Sequence, residues 1–476
     1  MAECRSMIPG FLFVHEAGAR YPSPPFDPPE AYPELGDKVR ALDPSNTVYR
    51  MVRGLLLEAG LDAGHAGTPE WNPLRGLIGD GQSVMIKPNL VIHETGANAG
   101  QQVLTTHASV VRPFLDYFHR LRASDGVGVK IVIGDVPLQS ADWERITVET
   151  GFKALAAYGR DVLGLDLSLL DLRKEIAVAT EGGFIRKRIQ NAGDPLGYTS
   201  VRMDTSFLDE IIQYANRFSI GDYDDSSTSG RHQHGRDHAY LIAKSVLASS
   251  LFINVPKIKT HQKAGITVAM KNLIGINGDK SWIPHHRLGA PSAGGDEYSQ
   301  NHALLKLLNA KARKLLQERS EVLWNAARFV NRKIVKRALR RPTVEQGPQA
   351  AAAADTRSFE WAMDGAWFGN DTLWRSILDL NRILLLGAPD GTMKLSRQRH
   401  YLCLAEGIVA GEGDGPLAPT AKAAGLLTFA ADPVVHDVGC ARLMGFDWRA
   451  LKVLERAPRG PEAFAFDGDP AALSLR

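Results

Sequence analysis

The sequence contains little cysteine and no long apolar run. Its three cysteines, Cys4, Cys403 and Cys440, lie far apart. An odd number at such spacing is typical of neither a disulfide framework nor a CxxC metal or redox pair, and it favours a reducing compartment. The apolar stretch GFLFV near the N-terminus is short and is followed by a proline-rich stretch, so it predicts neither a signal peptide nor a membrane span. We therefore expect a cytoplasmic protein.

Familiar catalytic motifs and a large excess of one charge are also missing. The chain has no Walker A motif, no GxSxG, no HExxH, and no GxGxxG between a strand and a helix. A familiar NTPase, hydrolase or dehydrogenase is therefore not expected. The 56 Lys and Arg residues are nearly balanced by 53 Asp and Glu residues, giving a net charge of +3. This balance predicts no nucleic-acid partner and confines any basic binding surface to a local patch.

The pattern that is present favours an α/β fold. The hydrophobic content of 44% over 476 residues is enough to fill a large core. From about Ser83 onward, short β-branched runs alternate with segments of helical periodicity. Such alternation predicts βαβ units and a largely parallel, doubly wound, Rossmann-like sheet. We expect an extended N-terminal arm (1–40), an α/β domain (41–302), a basic helical insertion with an alanine-rich linker (303–358), and a C-terminal α/β part that completes the site (359–476).

Polar residues follow four of the predicted strands at the point where each strand ends. The motifs are KPN (87–89), GD (134–135), PKIKTH (256–261) and GEGDGP (411–416). Ligands of open α/β sheets bind beyond the carboxyl ends of the strands, so these motifs are expected at one edge. Each motif taken alone is also typical of an ordinary turn.

The densest polar cluster lies in residues 254–287, where five lysines and three histidines alternate with apolar residues. Solvated charge runs rarely contain so many apolar positions, so we predict a buried site. If residues 264–273 are helical, Thr267 and Lys271 share a face, and Lys271 points toward the loop of Lys259 and His261. Several converging cations would lower one another's pKa values and attract a carboxylate or phosphate.

These motifs give a set of candidate residues in three roles. We expect His261, Lys259 and Lys271 to be catalytic, with His261 as general acid or base. The predicted substrate-binding residues are Lys87, Asn89, Lys257 and Asn272, together with Trp367 and Asn370 from an aromatic segment. The predicted ligands of a divalent metal, Mg²⁺ or Ni²⁺, are Asp135, His285, His286, Glu412 and Asp414. Dense tryptophans are also typical of a core, and glycine-flanked acids are typical of plain turns.

The segment 303–341 combines leucines and valines at helical spacing with about a dozen Lys or Arg residues. Such a segment is able to lie on an anionic membrane surface or to cap the active site. Alternatively, it packs on its own domain and leaves a basic face in solvent.

The sequence resembles the family called domain of unknown function 362. The resemblance rests on KPNLV (87–91), GDVP (134–137), INVPKIKTHQKAGITVAMKNLIG (253–275), EGIVAGEGDGP (406–416) and DPVVHDVGCARLMGFD (432–447). The chain departs from the family pattern at Glu406, where Asp is expected. It also lacks the cysteine-rich ferredoxin module of some relatives, so no iron–sulfur cluster is expected.

A looser resemblance links the same residues to nickel-pincer lactate racemase. It implies that Lys271 anchors a pyridinium cofactor, that His285 or His286 binds nickel, and that His261 moves a proton. Taken together, the residues predict an enzyme that isomerises, epimerises or eliminates a small or sugar-linked anionic metabolite by acid–base chemistry. The alternative is a non-catalytic sensor of a phosphorylated or nucleotide ligand.

Overall fold

The computed structural model describes residues 4–8, 10–38, 41–180, 183–221, 228, 231–232, 238–316, 319–327, 329 and 363–457. The alanine-rich linker, most of the insertion after Phe329, and residues 458–476 of the predicted C-terminal part lie outside these ranges. Among the described residues, no helix is long and apolar enough to cross a membrane.

One large mixed sheet organises the fold. Its parallel centre consists of five strands: β3 (Ser83–Pro88), β4 (Lys130–Asp135), β5 (Asp166–Asp171), β11 (Leu251–Val255) and β15 (His400–Glu412). They lie in the order β15-β11-β3-β4-β5, and every neighbouring pair is parallel. The predicted α/β class with a largely parallel sheet is confirmed.

Antiparallel strands extend this centre at β15. Strand β16 (Thr420–Ala430) pairs with β15, and a hairpin of β1 (Cys4–Ile8) and β2 (Phe11–His15) then pairs with β16. Strand β12 (Lys257–His261) pairs with β15 and with β13 (Gly265–Thr267). Residues expected to form an extended arm thus contribute two strands to the sheet.

The remaining strands form three small two-stranded sheets. They are β6 (Glu175–Ala179) with β7 (Ile185–Gln190), β8 (Tyr198–Met203) with β10 (His238–Ala243), and β9 (Phe218–Ser219) with β14 (His286–Arg287).

Apolar side chains cover both faces of the large sheet. In β11, Leu251, Ile253 and Val255 join one hydrophobic cluster, while Phe252 joins the other. The sequence of a strand that is buried on both faces is a nearly continuous apolar run, which is typical of parallel strands. Helices pack against both faces, which agrees with a doubly wound arrangement.

The helices on the first face are α1 (Thr47–Glu58), α2 (Arg112–Asp125) and α4 (Phe152–Asp161), with α3 (Trp143–Glu149) preceding α4. The second face carries α5 (Lys244–Leu247), α6 (Ala269–Asn272), α8 (Leu373–Leu386), α9 (Pro433–Leu443) and α10 (Lys452–Arg456). Helix α9 begins where the Asp432 carboxylate accepts the N–H groups of Val434 at 2.8 Å and Val435 at 3.1 Å, and Pro433 occupies its first turn.

The basic insertion begins with a helix. Helix α7 (Ala303–Leu316) leaves Leu304, Leu305 and Leu308 more than half exposed, with values of 73%, 51% and 57%. Its Lys306 is instead buried, and its amine donates to Ser299 Oγ at 2.8 Å.

Candidate active site

A cavity of about 170 Å³ lies beyond the carboxyl ends of β3, β4 and β12. This is the edge at which the sequence motifs were expected to meet. The polar side chains that line it are Lys87, Asn89, Asp135, Lys259, His261, Lys263, Thr267, Lys271, Asn272, Lys280 and His285. Five lysines therefore face a cavity that has one carboxylate in its lining.

That one carboxylate already has a partner. The Lys87 amine donates to Asp135 Oδ1 at 2.7 Å, and both side chains are buried. The other carboxylate oxygen accepts the N–H of Leu90 at 2.7 Å. A Cβ at Gly275 would overlap Asp135, so only glycine allows the chain to pass this close. Asp135, which we predicted as a metal ligand, is thus held in an ion pair with Lys87 at the cavity wall.

Asparagines fix this ion pair to helix α6. Asn272 Oδ1 accepts from the Lys87 amine at 3.1 Å, and Asn272 Nδ2 donates to Asn254 Oδ1 at 2.7 Å. Asp437 in α9 accepts the N–H groups of Ala269 and Met270 at 2.8 and 2.9 Å. A carboxylate at the start of a helix stabilises its unpaired N–H groups. These bonds set the position of Lys271 on α6.

Residues 264–273 are only partly helical. Gly265–Thr267 forms β13, which pairs with β12, and α6 begins at Ala269. Thr267 and Lys271 nevertheless both line the cavity, as the helical spacing predicted.

Lys257, which we predicted to bind substrate, does not line the cavity and instead forms a buried ion pair. Its amine lies 2.9 Å from Glu406 Oε1 and donates to the Tyr21 hydroxyl at 2.8 Å. Tyr21 in turn donates to Glu406 Oε2 at 2.7 Å, and the His107 N–H donates to Glu406 Oε1 at 3.0 Å. Lys257 and Glu406 have fully buried side chains. The residue at which the chain departs from the family pattern is therefore the partner of this lysine.

Lys259, Lys271 and Lys280 form a second group of lysines, which have no ion pair with any described residue. Burial, followed by the nearby Lys257 amine, lowers the pKa of Lys259 to about 7. Burial lowers the pKa of Lys280 to about 8, although Asp135 opposes this shift. Burial, reinforced by Lys259, holds the pKa of Lys271 well below its usual value. Near neutral pH, the cavity therefore contains both charged and neutral amines.

The hydrogen bonds of His261 favour one protonation state. Its Nδ1 accepts the backbone N–H groups of Lys263 at 3.1 Å and Ala264 at 3.3 Å. Burial and the neighbouring Lys271 amine also hold the imidazole pKa well below its usual value. With Nδ1 occupied as an acceptor, the proton of the neutral ring is placed on Nε2. His261 is thus arranged to donate a hydrogen bond through Nε2.

Two buried polar atoms of the cavity wall have no hydrogen-bond partner among the described residues. They are Thr267 Oγ1 and His285 Nε2. Unpaired buried polar atoms are costly and are commonly satisfied by a ligand or water. Both atoms are consistent with a polar ligand in the cavity.

Several other predicted site residues do not line the cavity. Trp367 is buried, and its indole N–H donates to the Asp296 carbonyl at 2.8 Å. Asn370 lies behind the wall, where its amide donates to the His285 carbonyl at 2.8 Å. Glu412 is exposed and pairs with Lys422 at 2.9 Å, and Asp414 is exposed as well. The GEGDGP segment instead contributes its final proline, Pro416, to the lining.

Three polar residues in the lining were not among our candidates: Lys263, Lys280 and Thr267. All three belong to the segment 254–287, so the density of that cluster was the signal that pointed to them. His286, predicted as a metal ligand, lies outside the lining next to His285.

Comparisons with known proteins support the resemblance to the family called domain of unknown function 362. The model of a family described as a domain of unknown function (DUF362) matches residues 203–442. No curated protein sequence matches the chain. A crystal structure of a protein from Thermotoga maritima is similar over 84% of this chain and 59% of that chain, at 6% identity and a TM-score of 0.32. A likeness this low carries no argument about fold or function. The similarity to lactate racemase is not shown by these matches.

Proposed function

Because this chain belongs to the family described as a domain of unknown function (DUF362), whose description assigns no activity, we propose a function from its cavity. We propose an enzyme that isomerises, epimerises or dehydrates a small metabolite carrying a carboxylate or phosphate. The observation that carries this proposal is a group of three lysines, Lys259, Lys271 and Lys280, which line one cavity and have no ion pair with a carboxylate among the described residues.

The size of the cavity supports a small substrate. Pockets for drug-sized ligands measure roughly 300–1,000 Å³. At about 170 Å³, this cavity suits a short hydroxy acid or small phosphate ester better than a sugar nucleotide. The protonated fraction of Lys259 and Lys280 would bind the anionic group through charge-assisted hydrogen bonds.

Lys271 suits the role of general base. Burial and the neighbouring lysines hold its pKa well below the usual value, which favours the neutral amine, and a neutral amine can accept a proton from the carbon next to a carboxylate. In an isomerisation the resulting ammonium would return the proton to an adjacent carbon on the same face, and in an elimination it would protonate the departing hydroxyl. In an epimerisation a second cavity ammonium would protonate the carbon from the opposite face while Lys271 keeps the proton that it removed. The Nε2–H of His261 would stabilise the negative charge that develops on the substrate oxygen.

Hydrogen exchange in D₂O tests this role. Wild-type protein is incubated with a panel of short 2-hydroxy acids and small phosphate esters, and NMR follows the loss of the C–H signal. We expect exchange for at least one compound. Lys271→Met should slow that exchange by about a hundredfold or more, the usual loss for a catalytic base. Its melting temperature should stay equal or rise, because Lys271 has no ion pair with any described residue and the burial of its amine beside other cations is unfavourable.

Two results would overturn the proposal. One is a marked fall in melting temperature for Lys271→Met, which would make this lysine a structural residue. The other is anion binding with no exchange of any compound, which would favour the non-catalytic sensor.

A further inference from the structure

The strongest feature outside the cavity is a group of three side chains with metal-binding atoms. They are His286, Glu297 and Asp364, and one ligand atom of each lies within 4.8 Å of the other two. Among the described residues, no other group of three His, Cys, Asp or Glu meets this distance. His286 and Glu297 are only 1% and 4% exposed, so the group is not a surface patch of acids.

The backbone brings these side chains together from three segments. His286 belongs to β14, and the Glu297 N–H donates to the Gly289 carbonyl at 3.1 Å. The Gly365 N–H donates to the Glu297 carbonyl at 2.7 Å, which places Asp364 beside Glu297. A Cβ at Gly365 would lie only 2.8 Å from His286 Cβ. Glycine at 365 therefore allows the Asp364 turn to lie directly against His286.

We propose that His286, Glu297 and Asp364 bind one divalent transition-metal ion. Imidazole nitrogen together with carboxylate oxygen is a donor set that suits Zn²⁺ and Mn²⁺. One ion with bonds of about 2.1 Å holds its ligands within about 4.2 Å of one another. In the tetrahedral geometry usual for Zn²⁺, bonds of this length place ligand atoms about 3.4 Å apart, so the three atoms would close by at most about 1.4 Å on binding.

The position of the group gives the ion a structural role. Glu297 precedes the basic insertion and Asp364 follows it, so the ion joins the two ends of that insertion. His286 is adjacent to His285, which lines the cavity. The ion therefore lies behind the cavity wall, at a different place from the exposed Glu412 and Asp414 that the sequence favoured.

Titration calorimetry tests this site on protein purified without a histidine tag and freed of metal with a chelator. ZnCl₂ and MnCl₂ are the probes. We expect one equivalent of at least one ion to bind. Asp364→Asn should weaken that binding at least tenfold, a loss of about 1.4 kcal/mol. Asp414→Asn, a matched change at an exposed acid, should leave it unchanged.

The proposal is overturned if neither ion binds to the wild-type protein, or if Asp364→Asn binds as tightly as the wild type. Asp364 is partly exposed, so this variant is expected to fold, and circular dichroism checks that it does. His286→Gln provides a second variant with the same expected loss. Sulfate binding by the metal-free protein reports separately on the cavity, so failure of the metal site and failure of the proposed function remain distinguishable.

Discussion

Two groups of lysines lie at the same edge of the sheet in opposite electrostatic settings. Lys87 and Lys257 each have a buried carboxylate, Asp135 and Glu406, within 2.9 Å. Lys259, Lys271 and Lys280 have none among the described residues, and they face the cavity. The first group is held in ion pairs, although Lys87 also lines the cavity, whereas the second is suited to hold a ligand. The difference shows that a lysine-rich motif acquires its role from its tertiary partners.

The clearest contrast is between Lys257 and Lys259, which are two residues apart in β12. Residues at i and i+2 of a regular strand share a face. The pairing of β12 with β15 shifts between them, however, because Lys257 lies opposite Glu406 and Lys259 lies opposite Gly411. This irregularity lets one lysine point to Glu406 and the other to the cavity.

Breaking an ion pair should give the largest effect on stability. Lys257→Met would leave the Glu406 carboxylate buried without its cation, at a cost of about 3–5 kcal/mol. We expect a large drop in the urea midpoint. The double variant Lys257→Met with Glu406→Leu should recover much of that loss, because it removes both charges. An unchanged midpoint in the single variant would contradict a structural role for Lys257.

Removing a cavity lysine should have a smaller effect than breaking the ion pair. The effect should be on ligand binding and not on stability. Lys280→Met would remove one charge-assisted hydrogen bond to the anion, worth roughly 1.5–3 kcal/mol. We expect sulfate affinity, measured by calorimetry, to fall about tenfold to a hundredfold. The melting temperature should stay equal or rise. A destabilised variant with normal sulfate affinity would place Lys280 in the scaffold with Lys257.

Titrating the cavity lysines should give the smallest effect. Lys259 has a pKa of about 7, so its charged fraction falls as pH rises above that value. We expect sulfate affinity to decrease by about fivefold to tenfold between pH 7 and pH 8. Stability should change in the opposite direction. Between this pKa and the usual lysine value of about 10.4, the unfolded chain binds more protons, so stability rises with pH. Sulfate affinity independent of pH would contradict a role for these amines.

The sequence predicted the sheet and much of the cavity because both follow from local patterns. Alternating strands and helices indicated a parallel sheet, and polar residues at strand ends gave Lys87, Asn89, Asp135, Lys259 and His261. What it could not predict were partners distant in the chain. The Tyr21 hydroxyl donates to Glu406, which is 385 residues away in the sequence, and no local sequence pattern predicts that contact.

The acidic residues of the GEGDGP motif, Glu412 and Asp414, lie away from the cavity for a different reason. Strand β15 runs for 13 residues, so its pairing with β16 continues beyond the sheet centre and leaves Glu412 and Asp414 in solvent. Trp367 was misassigned because a buried indole can satisfy its N–H on a nearby carbonyl and remain in the core.

The order of strands in the sheet determines which segments of the chain are needed to build the cavity. The family match begins at residue 203, yet β3 and β4 precede it and lie inside the sheet next to β11. A gene fragment for residues 203–442 would lose Lys87 and Asp135 and would expose one edge of β11. The recognisable stretch of sequence is therefore not a transferable module. In this chain, the cavity requires the two strands β3 and β4 that an upstream segment supplies to the same sheet.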